Sequence, residues 1–189
     1  MRNLANIITL GRICIIPFIL YFMVQSSPLA NLWAAGLFIL ASFSDFLDGI
    51  LARQRKWATP LGYFLDPLAD KILALSILLM YLVLPQSPFW VVIPVALILS
   101  REISVGALFS IAQTEKVQLK TNRSEKVKNT LQFITLVCLL IHKPYGPISF
   151  QEVGLILLVL STFFSLISAL GYSRQFYLLF KQKEGHGIG

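Results

Sequence analysis

The chain has 189 residues, of which 56% are hydrophobic and only 13% charged, against roughly 25% charged in ordinary soluble domains. A mean hydropathy of +0.74 excludes a soluble globule, and it excludes intrinsic disorder, which needs low hydrophobicity. The balance of 16 Lys+Arg to 9 Asp+Glu, net +7, is read as the basic loops of an integral membrane protein, with no nucleic-acid partner.

Uncharged runs extend over Ile13–Ser44, Ile72–Ser100 and Val153–Ser173. A hydrocarbon core of about 30 Å takes roughly 20 residues at 1.5 Å each. Pro and polar clusters divide the chain into six helical segments: Ile7–Val24, Leu29–Ala52, Leu61–Leu84, Phe89–Ile111, Val127–His142 and Ser149–Phe180. The first lacks a small-residue cleavage site before Pro28, so it is read as a retained span rather than a signal peptide. Cys14 and Cys138 have no partner spacing and are expected to be buried thiols. Long apolar runs without ten-residue alternation favour helices over a barrel. With no internal repeat or linker, residues 1–189 read as one all-α, polytopic domain of six transmembrane helices.

Charge sets the orientation. The connectors Gln25-Ser26-Ser27-Pro28 and Pro85-Gln86-Ser87-Pro88 are uncharged, and His142–Pro147 carries only Lys143. Arg2, then Arg53, Arg55 and Lys56, then Lys116, Lys120, Arg123 and Lys126, and finally Lys181 and Lys183 mark the other side. Both termini and the even connectors are therefore expected in the cytoplasm. The expected location is the inner (cytoplasmic) membrane.

Charges inside membrane helices are expensive and point to function. Asp45 and Asp48 are three residues apart, and Asp66 and Asp70 four, so each pair projects from one helix face. The two helices are antiparallel neighbours joined by a short connector centred near Trp57. All four carboxylates would then sit at matching depths, roughly 12–18 Å up the hairpin from its midpoint. Four converging carboxylates cannot all stay ionised without cations. An all-oxygen ligand set favours Mg²⁺ or Mn²⁺, and four carboxylates suit two ions. Gly49, Ala52 and Gly62 would let a bulky ligand or the other helix approach closely. Arg53 offers a guanidinium fork for phosphate oxygens. Together these features suggest a pyrophosphate-bearing substrate and phosphoryl transfer governed by positioning and charge neutralisation.

The full string reads Asp45-x2-Asp48-Gly49-x2-Ala52-Arg53-x8-Gly62-x3-Asp66-x3-Asp70. At roughly 5% usage per specified residue, a chance match is on the order of 10⁻¹⁰ per window. It resembles, at every specified position, the signature of the CDP-alcohol phosphotransferase family. That resemblance implies six transmembrane helices, a two-metal site in a cytoplasm-facing cavity, transfer of a phosphatidyl-type group from a CDP-linked donor with release of CMP, and a homodimer. It also implies that Asp45, Asp48, Asp66 and Asp70 hold the metals, with Asp70 the general base on the acceptor hydroxyl. Asp45, Gly49, Ala52, Arg53 and Gly62 would lie along the CDP moiety, joined by Asn6 and Thr9, which otherwise cap an interfacial helix.

Beyond the signature, the chain resembles the bacterial branch that joins CDP-diacylglycerol to glycerol 3-phosphate. The segments that carry this likeness are Asn6–Arg12 followed by Pro17, Ser100–Ile103 and Glu125–Gln132. Ala5 and Glu125 depart from it, standing where a proline is common and where a glycine is usual. A dianionic acceptor needs cations that the donor does not, and Arg101, Lys126 and Lys128 are the candidates. Lys126 and Lys128 are two apart and do not share a face, so only one is expected to point inward. The competing readings are anchoring for the lysines and pairing with a buried carboxylate for Arg101. Glu102 is an awkward partner for Arg101, because neighbours on a helix point about 100° apart.

Arg12 either snorkels to the interface or faces the donor phosphates. Lys71 reads as an anchor, and Arg174 as an anchor or a further acceptor contact. His142 and His186 lack metal-ligand spacing. Other acceptors (serine, inositol phosphate, phosphatidylglycerol) stay open within the family. Two other classes fit parts of the pattern. An intramembrane prenyltransferase carries its aspartates on separated helix pairs. A divalent-cation transporter scatters its acids at the midplane, whereas these cluster beside one cytoplasmic hairpin.

Overall fold

The structure, a computed structural model, describes residues 4–25, 27–55, 60–115, 119–142, 144–145 and 148–186, with side chains described over 10–25, 27–43, 68–115, 119–142 and 149–181. Six α-helices follow in order among the described residues: α1 (Leu4–Val24), α2 (Pro28–Arg55), α3 (Pro60–Val83), α4 (Val92–Thr114), α5 (Arg123–Ile141) and α6 (Phe150–His186). Their starts are written in the sequence. Pro28 takes the first position of α2, where its missing N–H is no loss, and Ser27 Oγ accepts from the Ala30 N–H at 3.1 Å. Pro60 opens α3 in the same way. Ser149 and Glu152 stand three apart at the head of α6, and the Glu152 N–H reaches Ser149 Oγ at 3.5 Å. A single 3₁₀ turn, Phe89–Val91, leads into α4. His142, at φ 33°, turns the chain out of α5 in the left-handed region. The connector beyond it holds a two-residue antiparallel ladder, β1 (Pro144–Tyr145) with β2 (Ile148–Ser149), where the sequence suggests only a turn.

Two compact units divide the chain, one of residues 1–89 and 136–154 and the other of residues 90–135 and 155–189. In the first, α1 packs against α2 and α3. Its inward stripe is Arg12, Ile16, Ile19 and Met23, at helical spacing. The buried residues of α2 include the small Ala30, Ala34 and Ala41, and those of α3 include the series Ala69, Leu73, Ile77 and Tyr81. Small residues allow close helix approach where no hydrophobic force acts between helices in lipid. The far end is tied by polar contacts: Asn31 Nδ2 to His142 Nε2 at 3.2 Å, and Gln151 Nε2 to the Gln86 carbonyl at 2.6 Å and to Tyr81 Oη at 3.3 Å. Gly154 is required here, since a Cβ would lie 2.9 Å from Leu139 Cδ2 and 3.1 Å from Cys138 Cβ.

In the second unit, α4 buries Val95, Ile98, Arg101, Glu102 and Val105. The facing stripe of α6 is Leu158, Ser161, Thr162, Ser165, Ser168 and Tyr172, small and polar through its middle. Tyr172 meets Phe109 edge-on at 5.2 Å.

The distribution is inside-out for water. Arg12, Arg101, Glu102 and Lys128 are all 5% exposed or less, while Phe89, Val83, Leu170, Ile93 and Ile103 are open at 65–91%. A bilayer selects that arrangement, because lipid tails accept apolar surface and exclude unpaired charge. Phe89–Thr114 and Phe150–Lys181 are long and apolar enough to cross a membrane; Leu10–Val24 and Pro28–Phe43 are shorter apolar stretches. Cys138 is buried as expected, but Cys14 is exposed. It lies on the outward side of α1 beside Ile13 and Phe18, off the stripe that packs inward.

Candidate functional site

The signature falls on two helices of the first unit. Asp45, Asp48, Gly49, Ala52 and Arg53 belong to α2, and Gly62, Asp66 and Asp70 to α3. Both helices run unbroken through their acidic pairs. The side chains of Asn6, Thr9, Asp45, Asp48, Gly49, Ala52, Arg53, Gly62 and Asp66 lie outside the described residues, as does the connector at Trp57. Asp70 is described. Its carboxylate is about half exposed, and its Oδ1 accepts from Arg12 Nη1 at 2.7 Å.

This contact corrects the snorkelling reading of Arg12. The residue shares the inward stripe of α1 with Ile16 and Ile19, so its guanidinium is enclosed, and the nearby carboxylate of α3 balances its charge. The result is a part-exposed carboxylate held against a buried cation. Such a group can take a proton from a hydroxyl or serve as a hard oxygen ligand. A set of four aspartates would offer only hard oxygens, which is the donor chemistry Mg²⁺ and Mn²⁺ prefer.

The second unit assembles a cluster of opposite character. Arg101 Nη1 donates to Glu102 Oε1 at 2.7 Å. Arg101 Nη2 pairs with Glu125 Oε2 and donates to Ser168 Oγ at 3.1 Å. Lys128 Nζ sits 2.5 Å from Glu102 Oε1 and 3.8 Å from Glu125 Oε1. Ser168 Oγ donates to Glu125 Oε2 at 2.7 Å. Two cations and two carboxylates thus neutralise one another among helix side chains.

Glu102 therefore is a partner of Arg101. Their Cα–Cβ bonds diverge, but both side chains are long, and neither can turn to lipid without stranding its charge. The structure also distinguishes the two lysines: Lys128 is buried in the cluster and Lys126 is exposed. Arg174 is exposed too. Sequence reasoning missed Glu125 and Ser168 as partners of Arg101. The available signal was the recurrence of serine at 161, 165 and 168 on one face of an otherwise apolar helix.

Comparisons with known proteins agree on one family. The model for CDP-alcohol phosphatidyltransferase matches residues 2–167. Among curated relatives, the CDP-diacylglycerol–glycerol-3-phosphate 3-phosphatidyltransferase of Bacillus subtilis is 38% identical over 186 residues, covering 91% of this chain and 94% of the relative. The protein of the same name from Rickettsia typhi is 36% identical over 173 residues, covering 91% and 96%. That of Wigglesworthia glossinidia brevipalpis is 32% identical over 181 residues, covering 95% and 96%. Matched along most of its length and carrying the acidic string on α2 and α3, the chain belongs to the CDP-alcohol phosphatidyltransferase family.

Proposed function

We infer that this chain transfers the phosphatidyl group of CDP-diacylglycerol to the 1-hydroxyl of sn-glycerol 3-phosphate, giving phosphatidylglycerophosphate and CMP. The observation that carries the reading is the shared name of relatives that match nine-tenths of the chain. The half-exposed Asp70 beside Arg12 supports it. Asp45, Asp48, Asp66 and Asp70 would hold two divalent ions, Mg²⁺ or Mn²⁺. When bound, these supply charge neutralisation at the pyrophosphate. Asp70 accepts the proton of the 1-hydroxyl as that oxygen bonds to the lipid-side phosphorus, and the phosphorus–oxygen bond to CMP breaks. Arg12 steers Asp70 toward that proton. Arg53 takes up charge on the departing CMP, and Asn6, Thr9, Gly49, Ala52 and Gly62 line its nucleotide. Arg101 and Lys128, with Lys126 at the rim, receive the acceptor phosphate.

In this reading residues 1–189 act as one domain, and the unbroken family match over 2–167 supports that. The chain crosses the inner membrane six times with both termini and the active site cytoplasmic, and it works as a homodimer. The test is an acceptor panel. Purified protein given CDP-diacylglycerol is expected to convert glycerol 3-phosphate, and to leave serine, inositol phosphate and phosphatidylglycerol unchanged. Conversion of one of those three in place of glycerol 3-phosphate would reassign the acceptor.

A further inference from the structure

We propose that Glu125 is a built-in substitute anion, whose carboxylate fills a phosphomonoester site made by Arg101, Lys128 and Ser168 and must swing out before the acceptor phosphate binds. The proposal rests on the acceptor reading above and adds a competitor to it. Its basis is the donor set that meets on one carboxylate. Both terminal nitrogens of Arg101, the Ser168 hydroxyl and, at 3.8 Å, the Lys128 ammonium are directed at Glu125. A guanidinium fork, an ammonium and a hydroxyl are what a tetrahedral dianion requires. One donor is left over. Arg101 Nε is buried and has no hydrogen-bond partner. A carboxylate's two oxygens are already used by the other donors, whereas a phosphomonoester brings a third.

The two glutamates differ in a way that selects which one leaves. The Glu102 side chain is 4% exposed and contacts both cations, so it is the fixed counter-charge. That of Glu125 is 15% exposed and stands in the first turn of α5. The backbone beneath it is pinned. Gln175 Nε2 donates to Asn122 Oδ1, Gln175 Oε1 accepts from the Lys120 N–H at 3.3 Å, and the Glu125 N–H bonds the Asn122 carbonyl at 3.1 Å. Gly171 makes room for this clasp, since a Cβ there would lie 2.5 Å from Asn122 Nδ2. Exchange therefore needs only side-chain rotation of Glu125 toward the exposed Lys126 edge, with the helix start unmoved. Glu125 is a positioning residue: it holds the Arg101 and Lys128 side chains in place, and it weakens acceptor binding by the fraction of time it stays in.

The test uses the full-length protein in lipid nanodiscs, with inorganic phosphate, glycerol 3-phosphate and glycerol as probes. A carboxylate resident nine-tenths of the time raises an apparent Kd about tenfold. Glu125→Gln is thus expected to tighten binding of both phosphates by about that factor and to lower KM for glycerol 3-phosphate, while KM for CDP-diacylglycerol holds and glycerol binds neither protein. Unchanged or weaker phosphate binding, with a loss confined to kcat, would overturn the proposal and leave Glu125 a structural strut. Tightening for inorganic phosphate alone would overturn the link to the acceptor. If Glu125→Gln does not fold, Glu125→Asp decides: its retracted carboxylate is expected to tighten phosphate binding by a few-fold, and no change overturns the proposal. CMP release by the unaltered protein separates the two readings. Absent release with tighter phosphate binding in the variant rejects the acceptor assignment alone, and normal release without tightening rejects the exchange alone.

Discussion

The two units each bury an arginine, and they treat it differently. Arg12 of the first unit pairs with Asp70, whose side chain is itself about half exposed. Arg101 of the second pairs with Glu102 and Glu125, in a cluster that also takes in Lys128 and Ser168. The first holds a part-exposed carboxylate against a buried cation; the second balances buried charges among themselves and, in the exchange proposed above, has to be opened. A membrane enzyme that joins a lipid donor to a water-soluble anion has use for both kinds of site.

The largest expected effect is on the part-exposed carboxylate. Asp70→Asn keeps shape and polarity but removes the proton acceptor, so turnover should fall by about 10²–10⁴, with CDP-diacylglycerol binding still measurable. Near-normal CMP release would remove Asp70 from the chemistry. Next comes the contrast between the arginines. Arg101→Met takes one of its two cations from the fixed, buried Glu102 carboxylate and should cost about 3–5 kcal/mol in detergent unfolding. Arg12→Met leaves a carboxylate that water can reach, and should cost about 1 kcal/mol or less. Equal costs would erase the distinction between the two units.

Much of this architecture was readable beforehand, and the reason is local. Ser27–Pro28, Pro60 and Ser149–Glu152 announce their helix starts through capping chemistry, and long apolar runs announce the helices. The acidic string is legible because its spacing is helical. The ion pairs were not. Arg12 finds Asp70 58 positions away, and Glu125 finds Ser168 43 positions away, distances at which helical spacing is silent. Arg101 with Glu102 failed for another reason: the angle between backbone directions says little about two long side chains that must avoid lipid.

Smaller effects sharpen the second unit. Lys128→Met should raise KM for glycerol 3-phosphate by about tenfold, the loss of one charge-assisted contact of 1.5 kcal/mol or more, whereas the exposed Lys126→Met should change it by about twofold or less. The reverse order would place the acceptor contact on the exposed lysine. Smallest in functional reach is Gly154→Ala, which pushes a methyl against Leu139 and Cys138 and should lower unfolding stability by about 1–3 kcal/mol without altering either KM.

The most direct test of the whole account is release of labelled CMP from CDP-diacylglycerol by the purified protein, followed with and without glycerol 3-phosphate. Release that requires the acceptor and disappears in Asp70→Asn is the predicted result. Release that ignores glycerol 3-phosphate, or that survives the loss of the Asp70 carboxylate, would contradict it.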